Sequence, residues 1–169
     1  MEYEASLDNL TKTITAFLYV VVGILLIVLV KMITTYGLSN LSIAAPVLPL
    51  VILALVIFFS YLFHTTGYAI TGGNFVIIRP AGKVKIALAE IASARQVAKG
   101  EMKFTIRTFG VGGLYGYFGS FYNKTFGSMT WYVTRRDKMV IIETKENQKI
   151  VISPDNLELI TILNASKSK

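Results

Sequence analysis

The side chains that could carry catalysis are few. From His64 onward the acids are Glu90, Glu101, Asp137, Glu143, Glu146, Asp155 and Glu158, and His64 is the only histidine of the chain. There is no cysteine, so neither a thiolate nucleophile nor a soft metal ligand is on offer, and a lone histidine cannot build a multi-histidine metal site. The acids fall mostly at turns or helix starts. Asp155 and Glu158 share a helical face, but carboxylates at a helix N-terminus are accounted for by the helix dipole. These residues argue against an enzyme, and no catalytic residue, metal site or cofactor is expected.

Two other groups of residues are better suited to binding. Phe104 to Tyr132 holds half of the chain's aromatic residues, interleaved with Gly110, Gly112, Gly113, Gly116 and Gly119. An exposed, adaptable loop of this composition would insert Tyr115, Tyr117, Phe118 and Phe121 into a membrane interface or a partner's groove; alternatively, the glycines permit sharp bends and the aromatics fill a small core. The glycine spacing misses the dinucleotide fingerprint by one residue, and no P-loop Lys-Ser or Lys-Thr follows it. The second group is the basic turn Arg135, Arg136 and Lys138. Near an anionic leaflet each such charge adds about 1 kcal/mol of attraction, and a solvated surface is the plainer reading. Interspersed acids leave no continuous basic stripe, so a nucleic-acid partner is not expected.

What must position these groups is set by two apolar runs, about 13–33 and 41–63. Ile14 to Val30 carries no charge, and the second run has no acidic or basic residue. Each is long enough to cross the hydrocarbon core, which takes about 20 residues. The leading MEYEASLDNLTK is acidic on balance and the first run exceeds a signal peptide's apolar stretch, so a retained helix with Asp8 or Ser6 as N-cap is expected. Together, 1–66 reads as a transmembrane helical hairpin with Pro46 and Pro49 near the entry of its second span. Neither span carries a charge deep inside, which disfavours a transport path. The chain's net charge of +7 is concentrated after the spans, which places the following domain and both termini on the cytoplasmic side of the cell membrane, multi-pass.

Residues 67–169 read as one small domain. Gly72-Gly73 between Tyr68–Ile70 and Asn74–Arg79 is a two-residue hairpin signal, Pro80-Ala81-Gly82 a turn, and Lys83 to Ala87 an alternating half-buried strand. Lys103–Thr108, Thr130–Thr134, Met139–Thr144 and Lys149–Ser153 have strand composition. Ser153-Pro154-Asp155 has the N-cap, first-position proline and first-turn acid that open a helix, with Leu157, Ile160 and Leu163 as its apolar stripe. The expectation is about seven short strands in a bent antiparallel sheet or open barrel closed by a C-terminal helix.

Three segments carry a resemblance: YAITGGNFVIIRPAGKVKIALAEIASARQV, RTFGVGGLYGYFGSFYNKTFGSMTWYVT and MVIIETKENQKIVISPDNLELI. They cover nearly all of Tyr68 to Ile162 and resemble the bacterial pleckstrin-homology-like (PH-like) domains found behind transmembrane helices. The resemblance implies a mainly-β PH-like sandwich of two packed antiparallel sheets capped by the final helix. It implies no activity, since a fold of this kind hosts many functions. Phosphoinositide-binding PH domains carry a basic motif across their first two strands; here Gly72 to Ile78 is uncharged, so that specificity does not carry over. The chain is therefore read as a membrane-anchored, non-catalytic binding module, an adaptor or accessory subunit with a protein partner or a second copy of itself. The alternatives are a sensor of anionic lipid and a component of a membrane enzyme or transport complex.

Overall fold

The computed structural model describes residues 1–37, 44–98 and 100–165. In chain order the elements are β1 (Glu2–Glu4), α1 (Asn9–Tyr36), α2 (Ala44–Phe63), β2 (Gly67–Thr71), β3 (Asn74–Arg79), β4 (Gly82–Ala87), β5 (Ile91–Gln96), β6 (Ile106–Gly112), β7 (Tyr117–Asn123), β8 (Gly127–Val133), β9 (Val140–Thr144), β10 (Lys149–Ile152) and α3 (Glu158–Ala165). The connection expected over 34–40 is still helical as far as Tyr36; its remainder 38–40 and the start of the second span at Leu41 lie outside the described residues.

Both long helices follow from local chemistry. Asp8 is the N-cap of α1, its carboxylate accepting from the Thr11 amide at 2.8 Å. Gly37 ends the helix at φ 74°, where its amide bonds the Ile33 carbonyl at 3.0 Å; only glycine takes that backbone without strain. At 1.5 Å per residue the helices are about 42 and 30 Å long, and both are long and apolar enough to cross a membrane. Most of their large side chains face outward, Phe17, Ile24, Ile27, Leu48, Phe58 and Phe59 among them.

After the helices come two sheets, ordered β1-β2-β3-β4 and β5-β9-β10-β8-β7-β6, and a C-terminal helix, as a PH-like sandwich requires. Gly72 and Gly73 take φ of 58° and 76° and close the expected hairpin of β2 on β3. Three features differ from the sequence reading. First, the described residues form ten strands, among them β7, which replaces the expected Gly-aromatic loop, and β1, which precedes the helices and pairs with β2, Glu2 opposite Ala69 and Glu4 opposite Gly67. The apolar pair is thus inserted into the sandwich between its first and second strands. Second, β10 runs parallel to β8, so the larger sheet is mixed. Third, the strand expected at Lys103 begins at Ile106, after a turn in which Phe104 has φ 58°.

One correction concerns the C-terminal helix, which starts at Glu158 instead of at Pro154 behind a Ser153 cap. The groups that would cap an earlier start are engaged elsewhere. The Ser153 hydroxyl accepts from the Thr134 amide at 2.8 Å, the Ser153 amide donates to the Tyr68 hydroxyl at 2.9 Å, and Asp155 binds Ser6 and Arg135. The Asn156 side chain instead accepts from the Glu158 amide at 2.9 Å. Leu159 and Leu163 are fully buried, with Leu157 and Ile160 packed against the core.

Both faces of the larger sheet carry buried side chains. Tyr68, Phe75 and Ile77 of the smaller sheet and α3 bury Val140, Ile142, Ile150 and Ile152 on one side. On the other side Trp131 stacks on Phe121 at 4.2 Å, among Met102, Phe126, Met129, Ile141 and Val151.

Candidate functional site

The residues singled out from the sequence separate into three places. The basic turn 135–138 is turned toward the protein. Arg135 donates to both carboxylate oxygens of Asp137, at 2.7 and 2.6 Å, and to Asp155 at 2.8 Å. Hydrogen bonding to Asp137 and then to Asp155 raises the guanidinium's affinity for its proton, and the same bond to Arg135 holds Asp137 below the ordinary carboxylate range. Burial opposes ionisation of Asp155, but bonds from Ser6 and Arg135 outweigh it and its pKa is lowered too. Arg136 lies over the rings of Tyr117 (5.3 Å) and Trp131 (6.0 Å), and Lys138 donates to the Asp155 carbonyl at 3.1 Å. Two carboxylates and two aromatic faces thus engage the charge that the sequence offered to a leaflet.

The Gly-aromatic segment is not a free loop. It forms β6, β7 and their connecting turn, with Gly110 directly opposite Gly119. A Cβ at Gly110 would lie 2.2 Å from the Phe118 carbonyl oxygen and one at Gly119 2.4 Å from that of Phe109, so the close approach of the two strands demands glycine at both positions. Tyr117, Phe118 and Phe121 are buried. The exposure that partner contact through these three side chains requires is absent, because alternate residues of β7 face opposite covers: Tyr117 and Phe121 enter the Trp131 cluster and Phe118 faces α2.

Tyr115 lies at the turn, at φ 54°, and joins the sandwich to the helices. Its amide donates to Thr15 Oγ1 at 3.3 Å, its hydroxyl meets that of Tyr19, and its ring packs on Tyr61 (5.9 Å) and His64 (5.5 Å). Desolvation, then the bond to Tyr19, pushes the Tyr115 phenol pKa upward. Gly113 makes the approach possible, since a Cβ there would lie 2.6 Å from Ile14 Cδ1.

Exposed apolar surface occurs one strand earlier. Phe104, Ile106 and Phe109 are 96%, 60% and 78% exposed, on or just before β6, the edge strand of the larger sheet. Period-two alternation gives no signal for them, since Ile106 and Phe109 fall in opposite sets and the register shifts between Arg107 and Phe109. Among the described residues no group of three or more His, Cys, Asp or Glu could hold a metal ion.

Residues 66–166 match the family model described as Bacterial PH domain. No curated protein and no solved structure matches the chain.

Proposed function

The chain belongs to the Bacterial PH domain family, and from that premise we propose that it is a non-catalytic binding module anchored in the cell membrane by α1 and α2, acting as an adaptor or accessory subunit at the cytoplasmic face. The observation that carries this reading is the apolar edge formed by Phe104, Ile106 and Phe109, on a strand whose turn is locked to both helices through Tyr115. Large exposed apolar side chains on an unpaired sheet edge are a docking surface for another chain, and the lock holds that edge beside the anchor. The charge excess after the helices supports the cytoplasmic orientation. Neutralisation of Arg135 by two carboxylates weighs against the basic turn as the contact.

A photoreactive residue at Phe104, compared with one at exposed Lys85, tests the assignment in native membranes. Protein adducts at 104 that are absent at 85 support an adaptor. Adducts only to lipid, or equal labelling at both sites, exclude it. Alkaline carbonate extraction tests the anchor separately.

A further inference from the structure

Between α2 and the larger sheet, sharing Phe109 with the exposed edge, runs an open apolar groove of about 780 Å³, within the roughly 300–1,000 Å³ of pockets that enclose small ligands. Ile52, Leu55 and Phe59 of α2 form one wall, and Phe109, Val111 and Phe118 the other. Its floor includes Gly110 and Gly119, which have no side chains to fill it. At the end nearest the C-terminus of α2 the apolar lining stops at Arg79.

Arg79 is held between two rings, as Arg136 is, but with its Nε buried. Its guanidinium lies 5.7 Å from the ring centres of both Phe63 and Tyr132. Among the described residues it has no hydrogen bond and no ion pair, and its Nε is buried without an acceptor. Two aromatic faces orient the fork, but they supply no oxygen to its N–H groups, and a guanidinium is built to engage the oxygens of a phosphate or carboxylate. Among the described residues Arg95 and Arg135 meet carboxylates at 2.9 Å or less, whereas Arg79, like Arg107 and Arg136, meets none.

We propose that the groove holds one anionic phospholipid from the surrounding leaflet, an acyl chain lying against α2 and the phosphate on Arg79. The polarity of the site matches the molecule end to end. Arg79 and the flanking rings of Phe63 and Tyr132 are at the helix end, where aromatic residues favour the headgroup level, and the groove deepens from there along the apolar wall of α2. Charge complementarity selects the ligand: an unpaired cation beside an apolar channel suits an anionic amphiphile. The inference rests on α2 being a membrane span, which carbonate extraction tests independently of it.

The test is native mass spectrometry of the full chain in a neutral detergent, titrated separately with a phosphatidylglycerol, a phosphatidylcholine of the same acyl chains, and palmitate. One saturable phosphatidylglycerol per chain is expected, bound roughly tenfold more weakly by Arg79→Gln, with phosphatidylcholine, whose choline cancels the phosphate's net charge, bound more weakly than phosphatidylglycerol by the parent chain. Thr130→Trp, which places bulk in the groove from an exposed position, should block phosphatidylglycerol, and it carries the test if Arg79→Gln does not fold. Lys85→Gln, outside the groove, should leave binding unchanged. Equal affinity for phosphatidylglycerol and phosphatidylcholine, undiminished binding by both groove variants, or palmitate bound as tightly as phosphatidylglycerol would overturn the proposal.

Discussion

Ser6 and Asp155, separated by 149 positions in the chain, are joined by two hydrogen bonds to the Asp155 carboxylate, from the Ser6 amide at 2.9 Å and the Ser6 hydroxyl at 2.5 Å. The Asp155 amide returns a bond to the Glu4 carbonyl at 3.1 Å, and Arg135 donates to both side chains. Two residues on, Asp8 caps α1 while accepting from the Tyr117 hydroxyl at 3.2 Å and the Arg136 amide at 3.3 Å. The segment before the first helix is therefore stitched into the sandwich, and α1 leaves from a fixed point on it.

Asp155→Ala removes the acceptor of both Ser6 bonds and leaves Asp137 as the one carboxylate bound to Arg135 among the described residues. A loss of roughly 2 kcal/mol is expected, in line with a charge-assisted network that is only partly buried. Thermal unfolding of the detergent-solubilised chain measures it, and hydrogen exchange should show the loss of protection concentrated in residues 1–8. Uniform loosening across the sandwich would contradict the clamp.

The same carboxylates set an acid limit. Asp137 and Asp155 have lowered pKa values in the folded protein, so the unfolded chain takes up their protons first as pH falls. Their contribution is fully present above the ordinary aspartate value of about 3.9 and is lost as pH drops through the folded values. The melting temperature should hold from pH 8 to 5 and fall below about pH 4, and Asp155→Asn should flatten that fall. A variant as acid-sensitive as the parent would assign the transition to other groups.

Trp131 is fully buried and stacked on Phe121, yet its indole N–H has no partner among the described residues. Trp131→Ala should cost about 3–5 kcal/mol through the cavity it leaves. Trp131→Phe keeps most of the stack and deletes an unsatisfied donor, so its cost should stay below about 1.5 kcal/mol. Circular dichroism melts distinguish the two; equal losses would mean that the indole nitrogen is satisfied in solution.

Gly110→Ala places a Cβ 2.2 Å from a backbone oxygen at φ 105°. The strain of that backbone is worth about 1–3 kcal/mol before the clash is relieved. Gly72→Ala meets nothing within 4 Å at φ 58° and should cost less. The order of the two melting temperatures checks this, and its reversal would place the β6–β7 approach in error.

Tyr115 links sandwich to helices by both its ring and its hydroxyl. Tyr115→Phe should retain the ring contacts with Tyr61 and His64, whereas Tyr115→Ala should broaden the distance distribution between spin labels at Lys31 and Lys145, cysteines being introduced into a chain that has none. Unchanged distributions in Tyr115→Ala would show that other contacts hold the two parts together.

Much of this architecture could be read from the chain because it depends on neighbours in sequence. Apolar length specifies α1 and α2, Asp8 and Gly37 bound α1 through their own side-chain and backbone chemistry, and Gly72-Gly73 or period-two alternation specifies β2 to β4. The closing helix was legible from its apolar residues, although its first turn was not.

The remainder depends on partners far apart in sequence. A three-residue strand such as Glu2–Glu4 has too little pattern to announce itself, and it exists because the edge of β2 is open to it. Arg135, Arg136 and Lys138 look like a free basic turn until the fold brings Asp155, Tyr117 and Trp131 against them, and Ser153 looks like a helix cap until Thr134 and Tyr68 claim it. The same holds for the aromatics: composition selected the segment, but only the packing of sheet, turn and helices decided that Tyr117, Phe118 and Phe121 are buried while Phe104, Ile106 and Phe109 are exposed. Local sequence determines which backbone conformations are cheap; which side chains lose their water is decided only when distant elements close over them.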